Sequence, residues 1–175
     1  MSLTKQNLKD LLPSSTLLIN EICKDLKSKG KTVYQFGFGQ SPFPVPDSIV
    51  QALKNNAHQK DYLPSKGLLE LRKSISNFLT GKGYKNLDHE NIIIGPGSKE
   101  LMFLLQIAFD GEIILPVPSW VSYAPQAIIA KNKYHWIQTE KKTNWHISPD
   151  HIDKVATKIE SKNKLIILNS PNNPS

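Results

Sequence analysis

Three short stretches of this chain concentrate its chemically capable residues: a glycine turn that suits an anion, an aromatic loop and an amide-rich loop. Gly95-Pro96-Gly97-Ser98 stands between a β-branched run, Ile92 to Ile94, and an apolar pattern at helical spacing, Leu101, Leu104, Leu105, Ala108 and Phe109. Gly95 and Gly97 permit positive φ and close backbone approach. A helix opening on Ser98 leaves the amides of Ser98, Lys99 and Glu100 without intrahelical acceptors. That geometry favours a phosphate or carboxylate. The same residues also suit an ordinary strand-to-helix connection with an N-cap serine. Pro118-Ser119-Trp120 adds an aromatic on a second loop, and Ser170-Pro171-Asn172-Asn173-Pro174 adds amides on a third. Neither common nucleotide pattern is complete. Glu100 stands where the dinucleotide fingerprint has its third glycine, and the phosphate-loop NTPase pattern is missing.

The elements that must position these loops can be read from periodicity. Ser14 or Ser15 caps a helix with Leu18, Ile22 and Leu26 on one face, and Gly30 closes it. Val33 to Phe36 reads as extended and leads into Gly37-Phe38-Gly39-Gln40 and a proline-rich loop, Ser41 to Pro46, stiff enough to wall a pocket. Asp47 caps a helix through Ala57. After Tyr62-Leu63-Pro64-Ser65-Lys66-Gly67 comes a helix with Leu68, Leu71, Ile75 and Phe78, which stops at Gly81-Lys82-Gly83. Then the pattern becomes regular. Strands are predicted at Ile92 to Ile94, Ile113 to Leu115, Tyr134 to Ile137 and Leu165 to Leu168. Helices are predicted from Ser98, over Ser119 to Ala130, and from Ser148-Pro149 through Ile152, Val155 and Ile159. The alternation predicts an α/β fold with a mostly parallel sheet flanked by helices, where loops after strands build the site.

Composition narrows the class. With 175 residues, 39% hydrophobic and 21% charged, the chain is globular and long enough to bury about 70% of its unfolded surface. No apolar run is long enough to cross a bilayer, and Met1 to Leu12 does not read as a secretory signal. The single cysteine, Cys23, has no internal disulfide partner. A cytoplasmic location is the expectation. The net charge of +7 attracts anions. Yet the densest lysine group, Lys24, Lys27, Lys29 and Lys31, ends an amphipathic helix and reads as a solvated face, so no nucleic-acid partner is expected. His58, His89, His135, His146 and His151 are dispersed and read as solvent-exposed residues, and no metal is expected.

Taken in order, five motifs resemble the class I and II aminotransferases, enzymes of fold type I that use pyridoxal 5′-phosphate. They are GQSPFPVP at Gly39 to Pro46, DYLPSKGLLELR at Asp61 to Arg72, IIIGPGSKELMF at Ile92 to Phe103, LPVPSWVSYAPQ at Leu115 to Gln126, and LIILNSPNNPS at the end. The resemblance implies an N-terminal arm and small-domain segment over 1–45 and an incomplete large domain over 46–175. It implies that Gly97, Ser98 and Lys99 hold the cofactor phosphate, that Trp120 stacks on the pyridine ring, and that Asn173 donates to its phenolate oxygen. It further implies that Tyr62 reaches a partner subunit's phosphate in a homodimer, and that the Gly39 backbone lies against the substrate carboxylate. Gly39-Gln40-Ser41-Pro42 departs from the family's commoner glycine-acid-proline pattern, which leaves the substrate class open.

By the same resemblance, the lysine that forms the Schiff base lies beyond the asparagine loop, in a part this sequence does not have. So do the aspartate and arginine that complete the family's site. No residue here is assigned as catalytic, and the expected function is the N-terminal part of an enzyme moving an amino group between an amino acid and a 2-oxo acid. The chain alone is expected to be inactive. Two other readings stay open, a non-catalytic phosphate- or cofactor-binding module and a related lyase. The strand at Ile92 to Ile94 is expected to lack its usual neighbour and to border an open sheet edge.

Overall fold

Glu112–Val117 (β1) is the strand on which the sheet is built: its first four residues are all buried, as expected of a central parallel strand covered on both faces. It pairs in parallel with Tyr134–Gln138 (β2) on one side and Lys164–Ile166 (β3) on the other. Ile113 stands opposite Tyr134 and Leu165, and Ile114 opposite His135 and Ile166. In this computed structural model the described residues are 3–9, 11–34, 36, 37, 39 and 41–175. Parts of the predicted extended segment and loop, Gln35, Phe38 and Gln40, lie outside them. The chain forms two units, Met1–Phe38 with Lys99–Ser175, and Gly39–Ser98.

In the first unit, strand alternation divides the core. Ile113 and Leu115 meet Tyr123 and Ala127 of Tyr123–Ala130 (α5), with Met102 of Ser98–Ala108 (α4) packed against them. Ile114 faces the other way and joins Ile137 and Ile159, covered by Ile152, Val155 and Ala156 of Pro149–Ala156 (α6). Helices thus cover both faces, as the alternating pattern predicts. The predicted start at Ser148-Pro149 is present: Ser148 Oγ accepts from the His151 amide, and Pro149 occupies the first turn, where its missing N–H costs nothing. Ser15–Ser28 (α1) buries no side chain completely, and Leu17, Leu18, Ile19 and Ile22 are all about half-exposed. Gly30 closes it at φ +75°.

The second unit contains Asp47–Asn56 (α2) and Leu69–Gly81 (α3). Arg72 organises it. Buried to 6% exposure, Arg72 donates from Nε to the Gly67 carbonyl at 3.3 Å and from Nη1 to the His89 carbonyl at 2.8 Å. Its guanidinium also meets Glu90 Oε1 at 3.4 Å, while Lys66 Nζ holds Glu90 Oε2 at 2.6 Å. Gly67 sits at φ +92°, and a Cβ there would fall 2.5 Å from Ile94 Cβ, so the position admits only glycine without rearrangement.

Four predicted boundaries are corrected. Ile92 to Ile94 are not a strand: Ile92 is extended, but among the described residues no strand lies beside it, and the Ile94 amide instead donates to the Lys66 carbonyl at 2.9 Å. The predicted helix from Ser119 begins only at Tyr123. Starting at Ser119 would have placed Pro125 in the helix interior, where its ring meets the carbonyl four residues back; starting at Tyr123 places it in the first turn. β3 ends at Ile166 and not Leu168, because Pro116 is the next β1 residue to face it and has no N–H to donate. Asp47 is the first residue of its helix, and Pro46 occupies the cap position.

Candidate functional site

The carboxyl ends of all three strands open on one cleft of about 340 Å³ in the first unit. Pro116, Pro118 and Ser119 wall it after β1, Thr139 after β2, and Ile167 to Ser170 with Asn172 after β3. Two of the three predicted loops converge here. Asn172 Nδ2 donates to the Pro118 carbonyl at 3.0 Å and to Ser175 Oγ at 2.7 Å, which ties the asparagine loop to the tryptophan loop. Thr139 Oγ1 donates to the Val117 carbonyl at 2.5 Å and fixes the end of β2 against β1. The bonds Val117-Pro118, Ser170-Pro171 and Asn173-Pro174 are cis.

Trp120 stands three residues before the first residue of α5. Its ring meets Tyr123 edge-on, centroids 5.4 Å apart at 80°, and Lys99 Nζ lies over it at 5.6 Å. The structure therefore brings together Lys99 and Trp120, two of the residues singled out from the sequence. Asn173 is exposed on the loop that follows β3, next to the hydrogen-bonded Asn172. Gly97, Ser98, Gly39 and Tyr62 belong to the second unit. Gly97 is left-handed at φ +101° with open space where a Cβ would stand, and Ser98 is the first residue of α4. Gly39 also has open space around it, and the Tyr62 side chain is fully exposed.

Several residues were not legible as site components. Tyr123 lines the cleft, and burial pushes its hydroxyl pKa up, so the phenol stays protonated and available as a donor. Trp145 and His146 also line the cleft. They follow Asn144, and both Asn144 and Trp145 are left-handed, at φ +49° and +59°. No local signal announces a tryptophan in that conformation. His146 Nδ1 lies 2.8 Å from the Thr143 carbonyl, which fixes the ring within its own turn. His135 is not the solvent-exposed histidine expected: it is half-buried, with Nε2 2.5 Å from Glu112 Oε2. That hydrogen bond holds the Glu112 carboxyl below its ordinary range, helped by the Ser161 amide and opposed by burial. Glu90 is likewise held low by its hydrogen bonds from Lys66 and then Arg72.

Among the described residues no group of three or more His, Cys, Asp or Glu is placed to hold a metal ion, and no helix is long and apolar enough to cross a membrane.

The family model for aminotransferase class I and II matches residues 31–175. An aspartate aminotransferase of Bacillus subtilis is 35% identical over 173 residues, covering 94% of this chain and 42% of that protein. A probable aspartate/prephenate aminotransferase of Aquifex aeolicus is 32% identical, with 94% and 42% covered. The crystal structure of the aspartate aminotransferase from Thermotoga maritima matches with a TM-score of 0.86 at 26% identity, covering 98% of this chain and 46% of that one. The chain spans less than half the length of each of these relatives.

Proposed function

The chain belongs to the class I and II aminotransferases, and on that premise we propose that it is the cofactor-anchoring part of an enzyme that moves an amino group between an amino acid and a 2-oxo acid. The observation that carries this reading is the parallel sheet whose loops after β1 and β3 meet at one cleft, with Trp120 held between Tyr123 and Lys99 beside it.

The residues present suit pyridoxal 5′-phosphate. Gly97 offers a left-handed, uncrowded backbone immediately before α4, and the first amides of that helix have no intrahelical acceptor. In this reading the amides of Gly97, Ser98 and Lys99 and the Ser98 hydroxyl hold the phosphate, each charge-assisted bond contributing roughly 1.5–3 kcal/mol. Trp120 carries the ring by offset stacking, about 0.5–1.5 kcal/mol beyond buried area. Asn173 donates to the ring oxygen, and the Gly39 backbone receives the substrate carboxylate. When bound, the cofactor supplies an electron sink for transfer of the α-proton and amino group. The relatives named for aspartate make an acidic amino donor the first to test.

A homodimer is part of the proposal. Its support is the fully exposed Tyr62 and the half-exposed apolar residues of α1, Leu18 and Ile22 among them. The family's cofactor-linked lysine is assigned to none of the lysines here, so the chain alone should bind without turnover. The test combines two readouts on the purified protein: amino transfer from aspartate to a 2-oxo acid, and mass spectrometry after borohydride reduction in the presence of the cofactor. The expected result is neither turnover nor a stoichiometric lysine adduct. One lysine labelled to completion would contradict the absence of the nucleophile; release of ammonia from the amino acid would point to the lyase reading.

A further inference from the structure

Two glutamines link α5 to the first turn of α4. Gln106 is completely buried, and its Nε2 donates to Gln126 Oε1 at 3.0 Å. Gln126, 6% exposed, donates in turn from Nε2 to the Lys99 carbonyl at 2.7 Å. The remaining Gln106 oxygen is buried with no hydrogen-bond partner among the described residues. Burying amides is costly unless they are paired, and apolar side chains of similar size would fill the same space without that cost. The arrangement therefore serves direction more than packing. Gln106 fixes which way the Gln126 amide faces, and Gln126 then grips a backbone carbonyl in the turn where the proposed anion site begins.

We propose that Gln126, oriented by Gln106, is a positioning residue that holds the first turn of α4 in register so that the Lys99 amide stays aimed at the cofactor phosphate. The inference rests on the phosphate-anchoring reading above. Its second lone-pair contact on the Lys99 carbonyl leaves the intrahelical bond intact, since a carbonyl oxygen accepts two hydrogen bonds. The link runs between residues 27 positions apart in sequence, so it ties the helix start to α5 and thereby to the strand-end loop containing Trp120.

Gln126→Met removes the donor at nearly constant volume, and Gln126→Glu keeps an acceptor for Gln106 while placing an oxygen against the Lys99 carbonyl. Amide hydrogen exchange by NMR, without ligand, reads the link directly. The amides of Met102 and Phe103 have as their i−4 acceptors the carbonyls of Ser98 and Lys99, in the first turn of α4. Both variants should speed their exchange about three- to tenfold, with β1 amides unchanged as the control for folding. Unchanged Met102 and Phe103 exchange would overturn the proposal, as would equal acceleration throughout β1. A second measurement separates phosphate positioning from general loosening: Gln126→Met should weaken pyridoxal 5′-phosphate binding several-fold and leave unphosphorylated pyridoxal unaffected. Equal loss for both ligands would contradict positioning. If the unsubstituted chain binds neither, the cofactor reading has failed, while the exchange result still decides the helix link.

Discussion

The ammonium of Lys99 lies 5.6 Å from the centre of the Trp120 ring, which joins the start of α4 to the loop that follows β1 within one unit. The contact places a positive charge beside the aromatic face proposed to carry the cofactor. At an exposed site such a pair is worth about 0.5–1 kcal/mol. Lys99→Met should therefore lower affinity for the phosphorylated cofactor, and the deficit should shrink as salt screens the charge. Isothermal titrations at low and high ionic strength check this. A deficit independent of salt would mean that Lys99 acts through packing alone.

Gly67→Ala should be among the most damaging single substitutions in the second unit. Its φ is +92°, and an added Cβ would meet Ile94. Its carbonyl accepts from buried Arg72, so the backbone cannot shift freely. A left-handed non-glycine alone costs of order 1–3 kcal/mol, and the collision adds to it. Urea unfolding should show a loss at the upper end of that range or beyond.

Acid should weaken the fold through Glu112. Its hydrogen bond from His135 and the amide of Ser161 lower its pKa from the ordinary 4.5. A carboxyl lowered on folding contributes stability above its unfolded value, and the contribution is lost as pH falls through the lowered native value. Glu90 acts in the same direction. Glu112→Gln should be less stable than the parent near neutral pH, and the two urea midpoints should converge below pH 4.5. A gap that stays constant with pH would mean that the charge of Glu112 is not what matters.

Leu115→Ala tests the sheet core. Leu115 is completely buried beside Tyr123 and Ala127. The substitution should cost about 2–5 kcal/mol, measured by thermal or urea unfolding.

What could be read from the sequence was local. The helix starts at Ser98 and Ser148-Pro149 follow from residues within one turn, and both are present. The β1 and β2 runs are apolar enough to identify themselves. What escaped depends on partners distant in the chain. Ile92 to Ile94 have strand composition but no neighbouring strand among the described residues, and a strand exists only as a pair. The Glu112–His135 contact spans 23 residues, and the Gln106–Gln126 bond spans 20. No periodicity signals either of them. The role of Pro116 in ending β3 becomes visible only once the register is known.

The most direct test of the phosphate-anchored cofactor site is a paired titration, with pyridoxal 5′-phosphate and with pyridoxal, followed by tryptophan fluorescence. The three tryptophans require a Trp120→Phe control, which should remove most of the quenching. The expected result is saturable binding of the phosphorylated form, displacement by inorganic phosphate, and at least tenfold weaker binding of pyridoxal, since one charge-assisted hydrogen bond at its lower bound is already worth about that factor. Equal affinity for the two ligands, with no effect of inorganic phosphate, would contradict it.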